Sequence, residues 1–147
     1  LYVLARNCQV KARFVAEDPY DRGIRACLNY GHTIGHAIER ACRGWEIRHG
    51  EAVAIGMVAE ARLGVSLGVT PEGVAERLEA LLAAAGLPTG APQIELDEAR
   101  NAMVQVKKIA TGRLRLPVVR ETGRADLIGD VDPRTLCGAL EGASRGS

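Results

Sequence analysis

Leu28-Asn29-Tyr30-Gly31-His32-Thr33-Ile34-Gly35-His36-Ala37-Ile38-Glu39, followed after a short connection by His49-Gly50-Glu51, holds all three histidines of the chain. His32 and His36 stand four apart, so on a helix they share one face, roughly 5.4 Å of rise from each other. His49 follows a Gly-containing connection that lets it fold back toward them. Gly31 and Gly35 repeat the same spacing, and each costs a helix interior about 0.5–1 kcal/mol relative to Ala. Two such costs in one helix predict that another helix or a ligand approaches closely on that side.

Working outward, the pattern predicts a helix beginning near residues 21–25 and running through the histidines to Cys42, with Gly44 as its end signal. A third helix starts just after His49, places Glu51 in its first turn at the positive end of the dipole, and stops at Gly68. Before these, residues 1–16 carry Val3, Leu4, Cys8, Ala12 and Val15 at spacings of three and four, a helix with one buried face. Glu17-Asp18-Pro19 breaks it. Downstream, Thr70-Pro71-Glu72 reads as an N-cap followed by a first-turn proline. Val74, Leu78, Leu81 and Leu82 form the stripe of that helix, and Gly86 closes it. Asp97 caps a further helix that carries Ala99, Met103, Val104 and Val106, with Lys107 and Lys108 near its C-terminus. The period then changes: residues 113–128 alternate and turn at Gly123, a small antiparallel ribbon. Asp132-Pro133 starts a last helix with Leu136 and Leu140, and the tail from Gly142 frays. The fold class is therefore mainly α, a helical domain with a small antiparallel β ribbon near residues 113–128.

A chain of 147 residues with 47% hydrophobic and 25% charged content is one domain's worth, with enough apolar sequence for a core. Aromatics supply only 3%, so Ala, Leu, Val and Ile on closely packed helices must build it. A net charge of +1 gives no warrant for a nucleic-acid or membrane partner. The longest apolar run, near residues 52–58, is too short to span a bilayer. Four scattered cysteines without a CxxC pair read as buried free thiols of a reducing, cytoplasmic compartment. The start on Leu1, in helical sequence, reads as a piece of a longer protein.

Two histidines at helical spacing plus a third nearby point to a divalent metal site, since neutral imidazole is a common zinc ligand. The spacing by itself pairs His32 with His36. HxxxH lacks the glutamate of HExxH, so a zinc-protease reading fails. Glu39 is either an orienting partner for an imidazole or a solvent-facing helix charge. Glu51 is either a dipole partner or a contact to a motif histidine. Trp45 packs the inter-helix turn, and Cys27 and Cys42 belong to the core.

The run from Arg25 to Glu39 followed by His49-Gly50-Glu51-Ala52-Val53-Ala54-Ile55-Gly56-Met57 resembles 3-dehydroquinate synthase and its sugar-phosphate cyclase relatives. The likeness is close over the first sixty or so residues, including Lys11-Ala12 and Asp18. It is looser through Lys107-Lys108 and the ribbon, where Val106 replaces an aspartate usual in the family. The resemblance implies that His32 and His49 ligate zinc (or cobalt) and that His36 is catalytic, sitting at the substrate for proton handling or phosphate contact. It implies that Lys11, Arg25, Asn29, Lys107 and Lys108 bind a substrate bearing phosphate and carboxylate. The implied activity is the NAD- and metal-dependent lyase reaction of the shikimate pathway, which takes 3-deoxy-D-arabino-heptulosonate 7-phosphate to 3-dehydroquinate and phosphate. A different sugar phosphate, as for 2-deoxy-scyllo-inosose synthase, is the alternative substrate. A non-catalytic helical module is the alternative outside enzymes. The family's third zinc ligand is a glutamate on an earlier helix, and its NAD sits on a preceding nucleotide-binding domain. Neither has a counterpart here, and no GxGxxG occurs. The expectation is that residues 1–147 form the C-terminal helical, metal- and substrate-binding domain of a homodimeric enzyme and do not turn over alone.

Overall fold

A computed structural model describes residues 1–42, 47–91, 95–109, 115–129 and 131–144; the side chains of 96, 104–109, 133, 143 and 144 stand outside the description. The order is α1 (Tyr2–Glu17), a 3-10 helix (Ile24–Asn29), α2 (His32–Ala41), α3 (His49–Ser66), α4 (Glu72–Ala84), α5 (Leu96–Ile109), β1 (Leu116–Glu121), β2 (Arg124–Ile128) and α6 (Pro133–Ser144). The mainly helical class with one small ribbon is as expected. β1 and β2 pair antiparallel, Leu116 opposite Ile128 and Glu121 opposite Arg124, around a Gly123 with φ 91°.

One core joins α2, α3, α5, α6 and β1. Ile34, Ile38, Ile55, Leu116, Leu136 and Leu140 are its largest fully buried apolar side chains, and Ala37, Ala41, Ala52, Ala59, Ala99 and Ala102 fill between them. Alanine-rich faces let helix axes approach closely, and the glycines take this further. A Cβ on Gly56 of α3 would stand 2.1 Å from the Gly31 carbonyl oxygen, and one on Gly35 would stand 3.1 Å from the Ala52 carbonyl oxygen. The backbones of α2 and α3 therefore touch, which is the close approach that the paired glycines predict.

The expected single helix over residues 21–42 is interrupted. Gly31 has φ 83°, which glycine reaches without a Cβ penalty, and separates the 3-10 helix from α2. A Cβ there would stand 2.6 Å from the Val53 carbonyl oxygen, so both the turn and the contact with α3 require glycine.

Other expectations are corrected by packing. α1 forms, but none of its residues is buried; within the described residues its apolar stripe meets no core. Thr70 does not cap α4: Pro71 holds the N-cap position, while the Thr70 hydroxyl is buried without a hydrogen-bond partner. It presses on Gly64, where a Cβ would stand 2.2 Å from it. α5 begins at Leu96, which puts Asp97 inside its first turn, and α6 runs on past Gly142 to Ser144. All four cysteines are free, but only Cys27 is buried as expected; Cys42 and Cys137 are half-buried and Cys8 is exposed. No described helix is long and apolar enough to cross a membrane. Gly44, Trp45, Arg113 and Leu114 lie outside the described residues.

Candidate metal and substrate site

The amphipathic register of α2 builds the cluster. Ile34, Ala37, Ile38 and Ala41 face the core, so His32, His36 and Glu39, at i, i+4 and i+7, form the opposite stripe. His49 is the first residue of α3. Glu51 fixes that start, its Oε2 accepting the Arg48 backbone N–H at 2.9 Å. Glu51 thus acts at the helix start, where one of its two readings put it, and does so by capping the backbone.

The three imidazoles form a nearly equilateral group. Ring centroids are 5.5 Å apart for His32 and His36, 5.3 Å for His32 and His49, and 5.7 Å for His36 and His49. Ligand atoms of His36, Glu39 and His49 lie within 4.8 Å of one another, a tighter donor set than the sequence singled out. The hydrogen bonds separate the rings differently. His49 Nδ1 is 3.0 Å from Glu39 Oε1, and His32 Nδ1 makes a longer 3.4 Å contact with the Tyr30 carbonyl oxygen. A carbonyl or carboxylate only accepts, so each contact is a hydrogen bond when the ring carries a proton on Nδ1, and the neutral ring then has its lone pair on Nε2. His36 instead has its Nε2 4.0 Å from Glu39 Oε2. Imidazole nitrogens with a neighbouring carboxylate are a donor set that suits Zn²⁺ or Co²⁺, so these residues fit such an ion.

Beside the cluster opens a cavity of about 490 Å³ whose walls include Lys11, Arg25, Asn29 and His32, together with Asn7 and Asp21. The structure thus brings three of the five expected substrate-binding residues to one space and makes His32 common to cavity and cluster. Asp18 shapes that wall. Its carboxylate accepts the backbone N–H groups of Arg22 at 3.0 Å, Gly23 at 2.7 Å and Arg25 at 3.3 Å. The Arg22 bond is the leading reason its pKa lies below the ordinary value. Arg25 Nη1 also donates to the Pro19 carbonyl at 3.1 Å. Lys107 and Lys108 lie on α5, and their side chains are outside the described residues.

Sequence reasoning missed Glu60. It lies on α3, is 0% exposed, and its carboxyl accepts the Gly31 N–H at 2.7 Å and the Ile34 N–H at 3.4 Å. α2 has no cap from its own N-cap side chain, so Glu60 closes that helix start from the neighbouring helix. Burial pushes its pKa up to about 8, against the lowering by the Gly31, Ile34 and Thr33 amides. The only sequence signal was a charge within an apolar helix.

The profile of the family 3-dehydroquinate synthase C-terminal matches residues 1–109. A 3-dehydroquinate synthase of a Synechococcus species is 43% identical over 141 residues, covering 95% of this chain and 38% of that protein. One from Caldanaerobacter subterraneus is 44% identical over 128 residues, covering 86% of this chain and 36% of that protein. The chain thus spans well under half of the relatives it matches. Among solved structures, the 2-epi-5-epi-valiolone synthase ValA of Streptomyces hygroscopicus subsp. jinggangensis, with NAD⁺ and Zn²⁺ bound, superposes with a TM-score of 0.82 at 26% identity, over 100% of this chain and 41% of that one. A 2-deoxy-scyllo-inosose synthase complexed with carbaglucose-6-phosphate, NAD⁺ and Co²⁺ gives 0.72 at 25% identity, over 84% of this chain and 36% of that one. On the profile match and these identities, the chain belongs to the 3-dehydroquinate synthase C-terminal family.

Proposed function

We propose that residues 1–147 are the metal- and substrate-binding domain of a 3-dehydroquinate synthase, which converts 3-deoxy-D-arabino-heptulosonate 7-phosphate to 3-dehydroquinate and phosphate. The observation that carries this reading is the shared wall: Lys11, Arg25 and Asn29 line one cavity with His32, which belongs to the imidazole cluster. Lys11 and Arg25 hold the phosphate and carboxylate of the substrate, with Lys107 and Lys108 as further cations. A guanidinium and an ammonium placed in advance orient a substrate with two anionic groups and lower the entropic part of the barrier. Asn29 offers both a donor and an acceptor to substrate hydroxyls.

His32 and His49 are the metal ligands in this reading, through Nε2. The oxygen acceptors on both Nδ1 atoms support that pair. Zinc or cobalt, when bound, supplies Lewis acidity to a substrate hydroxyl. His36 has its Nε2 4.0 Å from a Glu39 oxygen and an exposed ring, and it moves a proton at the substrate. NAD is the second cofactor, bound mainly outside this chain; ValA and the inosose synthase, both structures with NAD⁺, support it. Four free cysteines agree with a cytoplasmic location, and the working unit is a homodimer of the full-length protein.

The test is phosphate release by the full-length protein with NAD, on the heptulosonate phosphate beside glucose 6-phosphate. Turnover of the first that chelation abolishes and Zn²⁺ or Co²⁺ restores is the expected result, with Arg25→Ala raising KM at least tenfold. Turnover of glucose 6-phosphate alone makes the protein an inosose-type cyclase, like the second solved structure, a related enzyme. Equal, negligible metal in wild type, His32→Ala and His49→Ala makes it a helical module without catalysis.

A further inference from the structure

His49 poses a positioning problem. It begins α3 and its side chain is 56% exposed, so burial alone does not fix the ring, and a neutral imidazole can carry its proton on either nitrogen. Glu39 lies on the other helix, in the same stripe as His32 and His36. The α2 face behind it is fixed by Ile34, Ile38 and Ala41, each 0% exposed, so α2 cannot rotate to withdraw the carboxylate. Glu39 Oε1 stands 3.0 Å from His49 Nδ1, and Oε2 stands 4.0 Å from His36 Nε2.

We propose that Glu39 is the positioning residue of His49: it accepts the Nδ1–H, selects the tautomer whose Nε2 lone pair is free, and holds the ring against the α2 histidines. This rests on the metal-site reading only for its consequence, tighter metal binding; the tautomer itself is a property of the metal-free chain. The carboxylate acts across the α2–α3 connection, so it also ties the position of α3's first residue to the histidine stripe of α2.

The experiment uses the full-length protein with ¹⁵N-labelled histidine rings and no metal, at about pH 8.5, well above the usual imidazole pKa of about 6.5. Long-range ¹H–¹⁵N spectra report which ring nitrogen of His49 is protonated in wild type, Glu39→Gln and Glu39→Ala. The expected result is the Nδ1–H form in wild type and in Glu39→Gln, whose amide oxygen still accepts, and a mixture in Glu39→Ala. His32, held by the Tyr30 carbonyl, stays unchanged in all three. Titration with Co²⁺ alone, followed by its visible absorption, then gives about tenfold weaker binding or more in Glu39→Ala and near wild-type binding in Glu39→Gln. A His49 tautomer identical in wild type and Glu39→Ala overturns the proposal. So does Co²⁺ affinity unchanged in Glu39→Ala, or equally lost in Glu39→Gln, which would make Glu39 a ligand. Should wild type take up no Co²⁺, the metal-site reading falls, and the tautomer populations still decide the role of Glu39.

Discussion

α1 and the α2–α3 pair carry the same kind of signal in the sequence and meet opposite fates in the fold. Val3, Leu4, Cys8, Ala12 and Val15 recur at threes and fours as regularly as Ile34, Ile38 and Ala41. Yet Val3 and Leu4 are each 68% exposed, while Ile34, Ile38, Ala41 and Ile55 are 0% exposed. Hydrophobicity does not separate them. What separates them is a surface on which backbone can meet backbone: Gly31, Gly35 and Gly56 remove the side chains that would hold α2 and α3 apart. An apolar stripe says which way a helix would pack; small residues at matched spacing say against what.

The contrast gives its sharpest test at Ile55. Truncating this fully buried side chain, Ile55→Ala, should cost about 2–5 kcal/mol, read from urea unfolding. A cost below about 1 kcal/mol would mean that the α2–α3 interior is no better packed than the α1 surface. Gly56→Ala comes next. Its new methyl would meet the Gly31 carbonyl oxygen, which the neighbouring turn cannot easily move. Overpacking of this kind typically costs about 1–3 kcal/mol. Because the same contact sets His32 and His36 beside His49, Co²⁺ affinity should fall together with stability.

The buried pair also holds something α1 lacks, a carboxyl without water. In the folded protein the Glu60 pKa is raised to about 8 from an ordinary 4.5. Between those values the folded state keeps a proton that the unfolded chain releases, so this group's contribution is complete below about pH 4.5 and shrinks as pH rises toward about 8. The slope from Glu60 approaches about 1.4 kcal/mol per pH unit. Glu60→Gln, a neutral group of the same shape, should flatten the stability profile over this range and leave the variant the more stable protein above about pH 8. Chemical denaturation from pH 5 to 9 checks it, and parallel profiles for the two proteins would put the pKa of Glu60 at its ordinary value.

Much of this was legible because it is local. The α2 stripe follows from spacing, the start of α3, to within a residue, from Glu51 in its first turn, the stops from Gly68 and Gly86, and the ribbon from its alternation around Gly123. What escaped was set by groups distant in the chain. The break at Gly31 serves a contact with Val53 and Met57, so a helix-period pattern runs straight through it. Glu60 reads as one more helix charge until α2 is laid beside it, and Glu39 cannot be told from a solvated glutamate without His49 across the connection. Lys11, Arg25 and Asn29 came from resemblance rather than periodicity. They converge only because Asp18 gathers three backbone amides and turns the chain after α1.

The smallest expected effect closes the comparison on the α1 side. Leu4 is 68% exposed, so Leu4→Ser removes little surface from contact and exposes little that water does not already reach. In this 147-residue chain the change should shift unfolding by no more than about 0.5 kcal/mol. Lys11, on the same helix, should be as neutral for stability when changed to Ala, although it lines the cavity with Arg25 and His32. A loss above about 2 kcal/mol on Leu4→Ser would show that the apolar face of α1 is buried in solution. The helix would then be held in place by packing, and Lys11 would be presented from a firm support. If the loss is negligible, α1 brings a cation to the cavity wall from a helix that contributes almost nothing to the core, and the site's rigidity rests on α2 and α3.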